Sequence, residues 1–197
     1  MKIVCVPSVV VVLLALGSGC QGQQQPDAAP VQAALGAQNM AIQVTSSAWE
    51  NNQWIPKKYT GEGADVSPPL AWSDVPAGTQ ELALICDDPD APVGDWVHWI
   101  IYKIAADAKG LPEAVPPEPR PAVPAGALQG KNSWPSGRTI GYRGPMPPPG
   151  SPHHYHFTVY ALSAKLDAQP GLDKQGLLRL MEGKVLGQGR LTGLYQR

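Results

Sequence analysis

The 197 residues carry 15 Lys and Arg against 16 Asp and Glu, a formal charge of -1, and 43% are apolar, which describes one ordinary globular domain with some tail. Near neutrality without a block of Lys or Arg removes the sequence-independent attraction to phosphates on which nucleic-acid binding rests, so nucleic acid is not expected as a partner. With 21 Gly, 22 Pro and a single Phe, a bundle of long helices is also excluded, because each proline fixes φ and removes a backbone donor.

The chain opens on an address rather than a fold element. Lys2 supplies one positive charge, Val9 to Leu16 is an unbroken apolar run of eight, and Gly17-Ser18-Gly19 lead to Cys20. A spanning helix needs about 20 apolar residues, so residues 1–19 are expected to be a signal peptide. Its small-small-Cys ending resembles a bacterial lipoprotein signal, with Cys20 as the lipid attachment site. Gly17 stands where such signals usually carry leucine, which leaves cleavage by an ordinary signal peptidase open. The expected product is exported and membrane-anchored, facing the periplasm or the cell exterior. Residues 20–38, mostly Gln, Ala, Pro and Gly, lack the large apolar groups needed to fold alone and are expected to form a flexible tether. The folded domain is expected over 39–197. With Cys5 inside the signal and Cys20 as anchor, only Cys86 is left, so no intrachain disulfide is available. Cys86 ends the run Leu82-Ala83-Leu84-Ile85 and reads as a buried small hydrophobe.

Ala41-Ile42-Gln43-Val44-Thr45 alternates apolar and polar with period two, which predicts a half-buried strand, and a short strand is expected around Trp54 and Ile55. Glu81 to Cys86 and Val97 to Ile104 carry the strongest strand patterns. In the second, both alternating sets are largely apolar, which predicts cover on both faces and an interior place for His98. Twelve of the 22 prolines lie between Pro112 and Pro152, where ordered loops are expected to dominate. As a strand, His153 to Tyr160 turns His153, Tyr155, Phe157 and Val159 inward and His154, His156 and Thr158 the other way. Asp173 to Met181 has near-helical apolar spacing, with Asp173 as N-cap and Gly183 as stop. Val185 to Tyr195, with three glycines, reads as a weak strand. The expected fold class is mainly β: an antiparallel β-sandwich of two sheets, Greek-key-like, with a short C-terminal helix packed at one end.

All four histidines fall in two of these strands. Asp87-Asp88-Pro89-Asp90-Ala91-Pro92 places three carboxylates just after a buried strand. In isolation such residues are turn formers, but His98 follows six residues after Pro92, and the stiff stretch Gly141 to Gly150 delivers His153 and Tyr155 onto an inward face. Glycine lets a ligand approach backbone amides and proline limits the loop's conformations, which favours a small preformed pocket. Two imidazoles and a tyrosine hydroxyl suit an anion such as phosphate. Asp88 has three uses beside them: fixing a histidine tautomer, keeping a histidine protonated, or receiving a ligand's ammonium end. No lysine lies within these motifs, and Arg143 is the one nearby cation.

Asp88-Pro89-Asp90-Ala91-Pro92, then Trp96-Val97-His98-Trp99, then Gly144 through Pro147-Pro148 and Gly150 to His153-His154-Tyr155, resembles the phosphatidylethanolamine-binding protein family in its bacterial Raf-kinase-inhibitor-like branch. Ser67 to Trp72, Val75 to Thr79 and Gly187 to Tyr195 extend the resemblance over about residues 41–197. It implies a β-sandwich with a C-terminal helix, no cofactor and no metal. It also implies a small-anion pocket at Asp88, Ala91, Pro92, His98, Gly144, Pro147, Pro148, His153 and Tyr155, taking a phosphate or acetate-like anion or a phosphoethanolamine headgroup. The family's usual glycine before the proline pair is Met146 here, which bears on the width of that pocket.

Three rival readings follow from the same residues. His154 and His156, with Asp88, Asp90 and His98, form a metal site if they converge. His98 or His153 with an aspartate gives a hydrolase base, but no G-x-S-x-G occurs and Ser133, Ser136 and Ser151 have no activating context. Pro112 to Pro124, with Glu113, Glu118 and Arg120, is either an exposed connector or a surface for an envelope protein such as a peptidase. Trp72, Trp96 and Trp99 are expected to be scaffold. The expected activity is that of a non-catalytic protein binding a phosphate-bearing headgroup.

Overall fold

The computed structural model describes residues 42–197. The signal peptide expected over 1–19, Cys20 and the tether 20–38 lie outside the described residues.

Among the described residues nine strands and one α-helix follow in chain order, with a short 3-10 helix at Lys57–Tyr59 before the third strand: β1 Gln43–Thr45, β2 Gln53–Trp54, β3 Leu70–Ser73, β4 Glu81–Asp88, β5 Trp96–Ala105, β6 Gly110–Leu111, β7 Leu128–Gln129, β8 His153–Leu162, α1 Lys174–Met181 and β9 Val185–Tyr195. They form a six-stranded sheet, in the order β2-β9-β8-β4-β5-β7, and a three-stranded sheet, β1-β3-β6. Both sheets are antiparallel except where β2 runs parallel to β9, so the purely antiparallel expectation is corrected to a mixed sheet. Nearly the whole domain lies between β2 and β9 in the chain, so no hairpin dictates their relative direction.

Side-chain alternation explains the layers. From β4, Leu82, Leu84 and Cys86 enter a core shared with Trp72, Trp99 and Phe157, beneath the small sheet. Ala83 and Ile85 enter a second core with Tyr160, Leu162 and the helix residues Leu177, Leu178 and Met181. Helix α1 therefore covers the outer face of the large sheet rather than one end of the sandwich. Each fully buried Leu, Ile or Phe contributes about 1.5–3 kcal/mol relative to exposure, and a strand apolar on both faces gains this twice over. The Asp173 side chain caps α1 by accepting the Gly176 N–H at 2.7 Å, as its position predicts.

The expected weak strand Val185–Tyr195 is the longest among the described residues and pairs with β8 from end to end. Its glycines reflect crowding, not weakness: a Cβ at Gly189 would sit 1.9 Å from the Ile42 carbonyl oxygen, so only glycine lets the incoming chain cross there. The Pro112 to Pro124 loop is tied down rather than free. Buried Gln129 donates its side-chain amide to the carbonyls of Pro116 and Glu118 at 2.7 and 2.8 Å.

Candidate functional site

Strands β4 and β8 are direct neighbours, with Asp87 opposite His156, and β5 flanks β4 on its other side. Alternation along β4 then sends Asp88 to the same face as Cys86, and along β8 it sends His153 and Tyr155 there with Phe157. His98 needs a further device. Cys86 pairs with Trp99 and Asp87 with Val97, so His98 is an extra, unpaired residue in β5. Such a β-bulge re-aims a side chain without ending the strand. The loop that follows β7 is stitched to this residue from both sides: the Arg143 N–H donates to the His98 carbonyl at 3.0 Å, and His98 Nδ1 lies 2.7 Å from the Arg143 carbonyl.

These groups form the floor of a cavity of about 310 Å³, lined by Asp88, Ala91, Pro92, Val93, Trp96, His98, Trp134, Met146, Pro147, Pro148, His153 and Tyr155. Eight of the nine residues expected at the site line it. Gly144 does not. Its N–H is taken by Asp65 Oδ1 at 2.6 Å, and a Cβ there would lie 2.2 Å from the Tyr59 carbonyl oxygen. Its missing side chain thus serves close backbone packing behind the site. The expected cradle of glycine amides is corrected accordingly, since the Arg143 and Gly144 amides are both engaged within the protein.

Asp88 is 3% exposed. Its Oδ2 lies 2.7 Å from His153 Nδ1, and its Oδ1 accepts the Asp90 N–H at 2.9 Å. A carboxylate only accepts, so Nδ1 of His153 carries the hydrogen and Asp88 fixes the ring's orientation. The Tyr155 hydroxyl is buried and makes no well-formed hydrogen bond among the described residues, although it faces the Asp88 carboxylate closely enough to feel it as an acceptor. Burial, with the Asp88 charge next in effect, pushes its pKa well above the ordinary tyrosine range, so it remains a donor at any physiological pH.

His98 is held in an aromatic slot. Its ring meets Trp134 edge-on at 5.0 Å and Tyr155 at 5.1 Å. Burial lowers its pKa to about 4, against the opposing pull of the Arg143 carbonyl, Asp88, Asp65 and the Gly144 carbonyl. The imidazole is therefore neutral near pH 7. Because Nδ1 faces a carbonyl, Nδ1 is the protonated nitrogen and Nε2 keeps its lone pair.

The walls are apolar and aromatic. Trp96 meets Trp134 edge-on at 5.4 Å, and the Arg143 guanidinium lies over Trp134 at 4.5 Å, a cation–π contact. Trp96 thus lines the cavity, whereas Trp72 and Trp99 are core. Met146 lies at the mouth, 52% exposed, with its sulfur over Gly61. Trp134, Val93 and the supporting Asp65 carry no strand or motif signal. Trp134 precedes a proline in a loop, where only its pairing with the site after folding distinguishes it.

The other histidines face away from the cavity. His154 is exposed and lies 2.7 Å from Asp90 Oδ2, while half-buried His156 is 3.8 Å from Asp87 on the helix side. Burial lowers His156 to about 4. Among the described residues no three His, Cys, Asp or Glu side chains are grouped to hold a metal ion, so the expected rival cluster of His154, His156, His98 and aspartates does not converge. Cys86 is buried and unpaired, and burial pushes its thiol up.

A family model described as phosphatidylethanolamine-binding protein matches residues 45–196. A UPF0098 protein of Methanothermobacter thermautotrophicus is 48% identical over 156 residues, covering 79% of this chain and 99% of its own. A UPF0098 protein of Pyrococcus horikoshii is 41% identical over 193 residues, covering 98% and 89%. Among solved structures, a phosphatidylethanolamine-binding protein homologue of Chlamydia trachomatis aligns with a TM-score of 0.70 at 37% identity, covering 80% of this chain and 98% of that one. The E. coli protein YbcL, described as a member of the mammalian PEBP family, aligns with a TM-score of 0.72 at 31% identity, covering 80% and 99%.

Proposed function

This chain belongs to the phosphatidylethanolamine-binding protein family, and from that premise we propose that it is a non-catalytic binding protein whose cavity receives a small phosphate-bearing group, such as phosphoethanolamine or a related anion. One observation carries this reading: the Tyr155 hydroxyl, buried and with no well-formed hydrogen bond, stands beside His98 and the Asp88–His153 pair on the floor of a cavity with apolar walls. A buried polar group left unsatisfied costs about 1–3 kcal/mol, and an anion oxygen in the cavity relieves that cost. The apolar walls exclude water and strengthen the few polar contacts that the ligand makes.

We extend the proposal to location. The Lys2, Val9–Leu16 and Cys20 pattern supports export and lipid anchoring, and a tether of the composition of residues 20–38 gives the domain reach from a membrane surface. Electrospray mass of the membrane-extracted protein tests this: a mass increase of a diacylglyceryl group on Cys20 is expected, and an unmodified chain beginning elsewhere overturns it.

Calorimetric titration of the purified chain with phosphoethanolamine and with inorganic phosphate tests the pocket. Heat of binding is expected with at least one of them, and the Tyr155→Phe variant is expected to bind about tenfold more weakly, the worth of one hydrogen bond to a charged group. Its folding stability is expected to stay within about 0.5 kcal/mol of the parent, because the hydroxyl makes no well-formed hydrogen bond and Asp88, the acceptor it faces, keeps His153 and the Asp90 N–H. Absence of heat from both ligands would sink the assignment.

A further inference from the structure

Resting on the reading of the cavity as an anion site, we infer that it selects anions that bring their own hydrogen. The bound group is a hydroxyl-bearing monoanion, such as a singly ionised phosphomonoester, with its O–H given to His98 Nε2 and another oxygen taking the Tyr155 O–H. The inventory of hydrogen-bonding groups leads there. His98 Nδ1 is committed to the Arg143 carbonyl at 2.7 Å, which leaves Nε2 as an acceptor. A fully deprotonated oxyanion facing that lone pair meets repulsion, whereas an anion with an O–H meets a partner.

The surroundings do not supply the missing proton. The charged and titratable groups facing His98 are Asp88 from β4, His153 and Tyr155 from β8, and Asp65 from the loop before β3; Arg143 reaches it through its carbonyl. Among the described residues no lysine or arginine side chain lines the cavity. Two arginines whose carbonyl or partner belongs to the site have their side chains engaged outside the cavity: Arg143 lies over Trp134 and donates to the Ser136 carbonyl, and Arg197 donates to the Pro147 carbonyl and lies 3.7 Å from Glu62. Asp88 adds negative charge to the floor. A dianion is therefore disfavoured twice, by Asp88 and by the His98 lone pair. Burial, which holds His98 neutral down to about pH 4, keeps the preference in force across the physiological range.

Three ligands of equal charge and similar size test the inference on the unmodified chain by calorimetry at about pH 5.5, below the second phosphate pKa of about 6. Methyl phosphate then carries one O–H, while methyl sulfate and dimethyl phosphate carry none. Methyl phosphate is expected to bind at least about tenfold more tightly than either, and to lose at least about tenfold by pH 8 as its hydrogen is removed. Equal binding of methyl sulfate would overturn the inference alone, since it would mean that His98 takes up a proton and pairs with the anion by charge. Failure of all three anions to bind would remove the anion reading itself. Titration with inorganic phosphate and with phosphatidylcholine vesicles carrying phosphatidic acid tells a free ion from a lipid monoester, and binding of either supports the inference. In the His98→Ala variant, methyl phosphate and methyl sulfate are expected to bind alike; a preserved preference would overturn the role of Nε2.

Discussion

Replacing Gln129 with leucine is expected to lower folding stability by about 3 kcal/mol, although leucine is close to glutamine in volume and the site is fully buried. Gln129 lies at the edge of the large sheet, and its side chain has three partners. Its Oε1 accepts the Trp99 indole N–H at 2.6 Å, and its Nε2 donates to the carbonyls of Pro116 and Glu118. Leucine would strand one buried donor in the main core and withdraw a donor from two carbonyls in the proline loop, of which Pro116 keeps the Glu118 N–H at 2.8 Å. Each orphan costs about 1–3 kcal/mol when water cannot reach it, and the two carbonyls, being only partly buried, recover some of that from solvent. The urea midpoint of the variant against the parent measures the loss. A change under about 0.5 kcal/mol would mean that the prolines of the loop hold its shape without the amide. Trp99 lies next to His98 in β5, so release of this network is also expected to weaken ligand binding, which a titration on the folded variant reads separately.

The sequence reveals the parts of the site that lie on regular strands and hides those that do not. Period-two alternation is sufficient to assign Tyr155, Phe157 and Val159 to one face of β8, because a strand has no other choice. The same logic places Asp88 with Cys86. It fails at His98: strict alternation would put Val97 and Tyr102 on opposite faces, yet both lie on the helix side, because of a bulge that only the pairing of β4 with β5 defines. Short elements escape for another reason. β3, β6 and β7 have four, two and two residues, too few for any period to register. The parallel contact of β2 with β9 depends on chain segments at opposite ends of the domain. Gly144 was legible as necessary but not in its role, since a glycine admits a ligand and a neighbouring backbone equally well. The Tyr59 carbonyl, behind the site, fills that space. Trp134 and Asp65 lie in coil, where neither periodicity nor spacing marks them.

On the face of the sheet opposite the cavity, replacing Lys174 with methionine is expected to lower stability by about 3 kcal/mol near neutral pH, with a loss that shrinks as the pH falls. Lys174, 9% exposed at the start of α1, donates to both Asp87 and Asp95. Methionine keeps the apolar stem but removes the charge, leaving Asp87 buried without its cation; breaking a buried pair from one side costs about 3–5 kcal/mol. The sign of the pH dependence follows from Asp87. Burial, the largest effect, already raises its pKa despite Lys174. A carboxyl whose folded pKa is raised binds a proton more readily in the native state, so its destabilising effect is present above that pKa and relieved as the pH falls through it. Without Lys174 the folded pKa rises further, and the difference between variant and parent narrows as the pH falls from neutrality. The other charged neighbours are His156, 3.8 Å from Asp87, and Arg190. Loss of the lysine also eases protonation of His156, which acts in the same direction. His98, whose folded pKa is depressed, lowers stability with falling pH in both proteins and cancels in the difference. Denaturant midpoints of the two proteins at neutral and lower pH measure the effect. A gap that stays constant or widens as the pH falls would mean that Asp87 keeps its charge by moving to solvent. Because Asp87 and Asp88 are consecutive on β4 and face opposite sides of the sheet, such movement would also displace the carboxylate that orients His153. The lysine on one face thus holds the strand end that positions the binding site on the other.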